Sequence, residues 1–412
     1  MRRLAACLAV MVLLAGVTEV SAQGTPTGAI SGQVVDPSKL PLPGVTVSAA
    51  SPVLQGTRTA VTSENGDYII PFLPPGDYAV TFELAGFATL TQTARIEMSA
   101  TVPINVTMAL ASVTETVTVT GAATEIAQTA TVAATYKSDM IERLPMGRTF
   151  NAYVLLAPGV KDNGPNGNNI MSGAMSYENL NIINGVVVNE NLRGEARSLF
   201  IEDAIQESKV STGSISAEYG RFQGGVVNTI TKSGGNTFSG SLRVTFTNEA
   251  WKSLTPYPGD KNIDATVPAY EATIGGPIFK DRLWFFGAGR AETRKTNVTT
   301  DFTAYNFTLQ AKEVRYEGKL TYALTQKHSL KASATQLNLD TTNNYFTSAT
   351  AVIDQRSLYN NANNERLYSF NYSGVVTSSF FIEGQYSQRE RDMIGTGSQY
   401  TDFARGTPIW DR

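Results

Sequence analysis

Few residues in the chain could make or break bonds, and their spacing is wrong for it. The 412 residues include one histidine, His328, and one cysteine, Cys7. A Cys/His zinc centre needs three or four such ligands together, so that chemistry is excluded. A Ser-His-Asp triad would have to run through His328, and no nucleophile elbow is present to meet it. There is no G-x-x-x-x-G-K-[ST] loop and no G-x-G-x-x-G between a strand and a helix. The sequence therefore predicts no enzyme activity, no catalytic residue, no metal and no cofactor. His328 lies beside a short turn and is read as a lone surface histidine without a role.

The remaining candidates are backbone and charge. Thr114, Glu115, Thr116, Val117, Thr118 and Val119 form a short β-prone run. Its plain reading is an edge strand or linker; its functional reading is a segment that a partner captures by strand addition. Glu313, Arg315, Glu317 and Lys319 put charge on every second residue. Pairing with one another or with a neighbouring domain is the favoured reading for them, ahead of substrate contact. Asp36, Asp67 and Asp77 sit beside turns and are read as shaping them rather than binding calcium.

Composition sets the elements that must position these residues. Basic and acidic residues number 33 and 36, so nothing points to nucleic acid. Charged residues are only 17%, below the soluble average of about 25%, while Gly, Tyr and Phe number 35, 17 and 18. That balance predicts a mainly β chain. Arg2 and Arg3, an apolar run from Leu4 to Val17 and the small residues Val20-Ser21-Ala22 read as a signal peptide over residues 1–22. Leu4-Ala5-Ala6-Cys7 sits too early to be a lipoprotein box. Removing the leader removes the sole cysteine, so packing or a membrane must hold the exported chain. No later stretch reaches 18 apolar residues, which leaves a β-barrel as the way to cross a membrane.

Residues 23–110 read as a β-sandwich. Short strands fall at Ile30–Val35, Val45–Ala49, Arg58–Thr62 and Tyr68–Phe72, separated by Pro, Gly and Asn turns. Asn65-Gly66 is a hairpin signal. Tyr78, Val80 and Phe82 alternate along one strand, as do Val102, Ile104, Val106 and Met108. Tyr68, Tyr78 and Phe82 are expected in the core rather than as a carbohydrate platform. Residues 111–240 read as a linker and a mixed α+β unit. It contains a helix near Ser138–Arg143, a Gly/Asn-rich loop, and two strands around Asn184-Gly185.

Residues 241–412 have a different rhythm. Leu242, Val244 and Phe246 alternate with Ser241, Arg243, Thr245 and Thr247. Val314, Tyr316, Leu320, Tyr322 and Leu324 alternate with Glu313, Arg315, Glu317, Lys319 and Thr321. Strands are expected near 241–249, 268–278, 283–294, 312–324, 328–338, 364–374 and 379–391. Their joins alternate long and short, which fits a transmembrane antiparallel barrel with short turns on one side. Tyr, Trp and Phe at strand ends are expected to form interfacial girdles.

Two resemblances follow. Gly32, Val34, Asp36, Pro41–Val45, Gly66, Tyr68, Leu73–Gly76, Tyr78 and Gly86-Phe87 resemble the carboxypeptidase regulatory-like domain, a transthyretin-like sandwich. The run from Asn184-Gly185 through Ile205-Gln206-Glu207-Ser208-Lys209-Val210 to Gly224-Gly225-Val226-Val227-Asn228 and Thr231-Lys232-Ser233-Gly234-Gly235 resembles the end of the plug of TonB-dependent outer-membrane receptors of the Oar-like type. Gly275-Gly276-Pro277 through Phe286 resembles their second and third barrel strands. The resemblance implies an N-terminal transthyretin-like sandwich, a plug, and the first strands of a large transmembrane barrel, incomplete here. It also implies residence in the outer membrane of a Gram-negative cell, with the sandwich in the periplasm and Thr114–Val119 at the TonB-box-like position. A TonB-type energising protein of the inner membrane, outer-membrane lipid and an extracellular ligand (oligosaccharide, peptide or chelate) are the implied partners. Seven strands cannot enclose a plug, because plugged transporters use about 22; the chain reads as a truncated or partial form. The alternative is a secreted or surface-attached all-β adhesion protein.

Overall fold

The computed structural model describes residues 27–111, 117–118, 132–144, 150–162, 164, 168–189, 201–217, 219–251, 253, 264–300, 303–345, 353, 355–377 and 380–395. Residues 1–22, read above as a signal peptide, and Thr114, Glu115, Thr116 and Val119 of the box-like run lie outside the described residues.

The first unit is two sheets packed face to face. β1 (Gly28–Val35) pairs antiparallel with β4 (Asp67–Leu73) and parallel with β7 (Thr101–Pro103) and β8 (Val106–Thr107). The facing sheet runs in the order β3 (Thr57–Val61), β2 (Thr46–Ala50), β5 (Gly76–Glu83), β6 (Leu90–Ile96) and β9 (Val117–Thr118). Ile30, Val34, Val47, Ile70, Val80 and Phe82 fill the space between them. Tyr68 and Tyr78 are buried as expected, and their hydroxyls donate to Ile104 O (2.9 Å) and Pro74 O (2.7 Å). The bulk of each ring is thereby buried without stranding its polar end. Asp36 Oδ1 accepts the Leu40 N–H at 2.8 Å and so shapes its turn.

Two local expectations are corrected. Asn65-Gly66 does form a turn, but the chain changes sheets there instead of making a hairpin: β3 pairs with β2, and β4 with β1. The single alternating strand expected over Val102–Met108 is interrupted at Ile104-Asn105. There the Ile104 N–H donates to Ser31 O (2.7 Å) and Asn105 Oδ1 accepts the Gln33 N–H (2.9 Å). This crossing brings backbone against β1, and a Cβ on Gly32 would sit 2.0 Å from Ile104 O. Only glycine permits that approach.

The second unit is a mixed sheet ordered β10 (Val132–Lys137), β15 (Ile205–Gly213), β16 (Val226–Thr231), β13 (Leu180–Ile183) and β14 (Val186–Val187). A small pair, β11 (Val160–Lys161) with β12 (Ile170–Met171), lies outside it. Helices occur at Ser138–Arg143 and Phe150–Val154. Asn184 (φ 51°) and Gly185 (φ 84°) both take left-handed backbone, as a type I′ hairpin between β13 and β14 requires. All six residues of β16 are buried, because the sheet is covered on both faces.

The third unit is a seven-stranded antiparallel meander in strict sequence order. Its strands are β17 (Ser239–Thr247), β18 (Val267–Phe279), β19 (Leu283–Thr299), β20 (Asn306–Thr325), β21 (His328–Asn344), β22 (Tyr359–Thr377) and β23 (Phe380–Ile394). All seven expected strands are present, with short joins after β18, β20 and β22. Most run longer than expected: β19 to β23 have 17, 20, 17, 19 and 15 residues. A tilted span needs only about 9–11. The excess lies largely at the long-loop end, where β19 and β20 continue to Thr299 and Asn306 and shrink the expected loop 295–311 to 300–305. Among the described residues no helix is long and apolar enough to cross a membrane, which says nothing about strands.

Candidate functional site: a charged seam and a tethered strand

The meander inverts the burial rule of a soluble sheet. Its exposed side carries Leu242 (83% exposed), Val244, Phe246, Tyr270, Ile274, Tyr316, Leu320, Tyr368 and Phe370. Its buried side carries Glu271, Arg290, Glu313, Arg315, Glu317, Lys319, Glu365 and Ser369. Along β20 the parity read from the sequence holds residue by residue from Glu313 to Thr321. Apolar-out and polar-in is the pattern a lipid-facing barrel sheet requires.

The buried charges are paired with the mixed sheet's unit. A one-turn 3₁₀ segment, Glu202–Ala204, delivers two buried carboxylates to the meander. Arg290 Nη1 lies 2.9 Å from Glu202 and 2.8 Å from Glu271, and its Nη2 lies 2.9 Å from Glu292. Arg315 bridges Glu313 (2.5 Å) and Glu202 (3.4 Å). Arg243 Nε donates to both Asp203 oxygens at 3.0 Å. Lys319 Nζ donates to Thr231 O (2.8 Å), Thr231 Oγ1 (2.7 Å) and Lys232 O (3.0 Å), and Glu317 accepts from the Thr231 hydroxyl. Arg389 joins Glu365 (3.0 Å) to Val188 O (2.6 Å). The expectation that Glu313, Arg315, Glu317 and Lys319 pair among themselves and with a neighbouring unit agrees with this geometry. Leu337 and Leu367 of the meander also enter the core around Tyr153, Val154 and Ile205. The interface thus has an apolar centre and a charge-assisted margin, in which Glu202 and Asp203 meet arginines of the meander.

Sequence reasoning missed Glu202, Asp203, Arg290 and Glu271. Arg290 shares its side of β19 with Trp284 and Phe286, so apolar residues hid the inward parity. Those two also correct the girdle expectation. Trp284 is buried and donates its indole N–H to Asn236 Oδ1 at 2.7 Å, whereas Phe238, Phe279 and Phe380 are the exposed aromatics at the short-turn end. The glycine of the Thr231-Lys232-Ser233-Gly234 motif has a packing reason, since a Cβ on Gly234 would lie 2.2 Å from Phe285 O. His328 is not isolated: its Nδ1 lies 2.7 Å from the Tyr372 hydroxyl.

The sandwich lies at the short-turn end. Arg58 donates to Gln326 O (2.7 Å) in the turn after β20, and the Phe72 and Phe381 rings meet edge to face at 6.1 Å. Arg95 of β6 pairs with Glu207 of β15 at 2.8 Å; the Glu207 side chain is 1% exposed. Burial pushes the Glu207 carboxyl above the usual range, with the Met98 N–H (3.2 Å) and Arg95 pulling it back. Arg95→Glu is therefore expected to release the sandwich, at a cost of about 2–5 kcal/mol for a buried carboxylate left unpaired. Faster cleavage by the broad-specificity proteinase K within 112–131, a stretch without lysine or arginine, reports it, and adding Glu207→Arg restores protection.

Of the six predicted partner-binding residues, the described residues contain Val117 and Thr118. They form β9, whose Cα partners in parallel register are Leu90 and Thr91 of β6. These two residues thus border the sandwich.

An antiparallel meander, apolar outside and charged inside, packed on a separate mixed sheet, is the arrangement that the sequence resemblance leads one to expect. The likenesses to known proteins agree. Residues 29–109 match the carboxypeptidase regulatory-like domain. The chain is 31% identical to the TonB-dependent transporter Oar of Myxococcus xanthus over an alignment of 367 positions that covers 78% of this chain and 34% of that protein. Its fold is similar to the outer membrane transporter YddB from Escherichia coli (TM-score 0.51, 14% identity, 63% of this chain and 38% of that one). It is likewise similar to the siderophore receptor PirA from Acinetobacter baumannii (TM-score 0.51, 18% identity, 63% and 40%). The chain spans about a third of the length of Oar and about two fifths of each solved structure. It carries a carboxypeptidase regulatory-like domain and is a relative of Oar.

Proposed function

We propose that the chain supplies the periplasmic sandwich, the plug and the leading barrel strands of a TonB-dependent outer-membrane receptor. The observation that carries this reading is the inverted burial of the meander. A secreted all-β adhesin would bury Leu242, Phe246 and Leu320 and expose Glu271 and Arg290; the opposite is seen. On this reading the long-loop end faces outward and binds a large or scarce ligand: an oligosaccharide, a peptide or a chelate. PirA, a siderophore receptor, supports the last of these for the fold at large. The plug fills the lumen, held by the Glu202, Asp203 and Thr231 contacts. A TonB-type protein, driven by the inner-membrane proton gradient, captures Thr114–Val119 by strand addition and draws part of the plug aside. The meander has β17 and β23 at its two edges. A plugged lumen needs about 22 strands, so the working receptor is larger than this chain.

Fractionation tests the reading. The full-length protein is expected in the outer-membrane pellet, with a gel mobility that changes on boiling. Recovery of intact, folded protein in the soluble fraction would overturn it.

A further inference from the structure

β6 is engaged on two sides. Its far end reaches the plug through Arg95 and Glu207, and next to that contact Gln206 Nε2 donates to Pro75 O (2.5 Å) while the Ser99 and Tyr219 hydroxyls meet at 3.2 Å. Its near end pairs with the box-like segment, Leu90 with Val117 and Thr91 with Thr118. That pairing makes β9 the last strand of the order β3-β2-β5-β6-β9, so among the described residues its outer edge pairs with nothing. A strand with one paired and one open edge is a template for strand addition. A segment already extended has also lost much of the chain entropy that binding would otherwise cost.

We infer that the edge of β6 is the seat of the box-like segment: the sandwich holds Val117-Thr118 as a preformed edge strand over the plug and presents its open side to the energising protein. This rests on the receptor reading above and adds a task for the sandwich that the reading does not require. A spacer domain would have no reason to pair with the segment. Arg95 and Glu207 fix the presenting sheet to the plug, so the segment, the sandwich and the plug are linked through one strand.

The test is a Thr91→Cys/Thr118→Cys pair in the full-length protein, oxidised in isolated outer membranes. Capture of the purified periplasmic C-terminal domain of the cell's own TonB-type protein is then measured. The cross-link is expected to form in resting membranes, and capture is expected to stay within about threefold of the reduced protein, as preorganisation requires. Failure of the cross-link to form overturns the inference. So does a tenfold or greater loss of capture that a reductant reverses, because the sandwich would then hide the segment instead of presenting it. A protein lacking Thr114–Val119 separates the two levels. If the parent captures the domain and the deletion does not, the receptor reading stands whatever the cross-link shows. If the parent captures nothing, that reading and the inference fall together.

Discussion

Replacing Arg290 with methionine is expected to unseat the plug. Arg290 is 8% exposed and lies within 2.9 Å of three carboxylates, those of Glu202, Glu271 and Glu292. Glu202 belongs to the mixed-sheet unit, while Glu271 and Glu292 belong to the meander. Methionine matches much of the stem volume but removes the only charge common to all three, leaving like charges crowded in a buried space. Breaking one side of a buried network costs roughly 3–5 kcal/mol. At about 1.4 kcal/mol per factor of ten, the unseated form rises some hundredfold to several thousandfold. Arg290→Lys keeps the charge but loses the planar fork that serves two partners at once, so it falls between. The measurement is entry of a large antibiotic normally excluded by the outer membrane, alongside thermal unfolding in detergent. Adding Glu202→Gln and Glu271→Gln to Arg290→Met should recover much of the loss, because the deficit lies in the crowded negative charge more than in a missing attraction. A seam that tolerates Arg290→Met alone would not be holding the plug.

Deleting Thr114–Val119 is expected to abolish energised function and leave the fold intact. The two described residues of the segment, Val117 and Thr118, pair with β6 of the sandwich. Folding, heat-modifiability and surface binding of ligand should therefore match the parent. Capture of the TonB-type partner should fall to background. Strand addition depends on a continuous row of free backbone groups, so removing the row removes the contact entirely. Point substitutions such as Val117→Ala keep the backbone and should do far less, whereas Val117→Pro takes away an N–H and should approach the deletion. Equal capture by the deleted protein would mean that the partner grips another segment.

Much of the architecture was legible because the decisive signals are local. The period-two alternation from Glu313 to Leu324 settles which side of β20 is which, since a one-residue slip would reverse every side chain. Asn184-Gly185 fixes a hairpin because both residues accept positive φ. Non-local signals were harder. Asn65-Gly66 looks the same whether the next strand returns to its neighbour or crosses to the other sheet, and only the pairing of β4 with β1 decides. Glu202 and Asp203 lie in an irregular segment with no periodicity, so nothing in the sequence marks them as the plug's contribution to the seam. Arg290 was masked by Trp284 and Phe286, because the buried side of β19 carries aromatic and charged groups along the same row. The strand lengths were underread for a related reason. Alternation fades toward the long-loop end of β19 and β20, yet their pairing continues to Thr299 and Asn306.

The central claim is that the outer face of the meander meets lipid and the inner face meets the plug. Spin labels on single cysteines in intact outer membranes test it most directly, once Cys7, the sole cysteine of the sequence, is replaced. Labels at Leu242, Tyr316, Leu320 and Phe370, all exposed, are expected to collide freely with dissolved oxygen and hardly at all with an aqueous nickel chelate. Labels at Thr321, Thr335 and Ser369, all buried, are expected to meet neither. Ready access of the nickel chelate to the outward set would place that face in water and contradict the account.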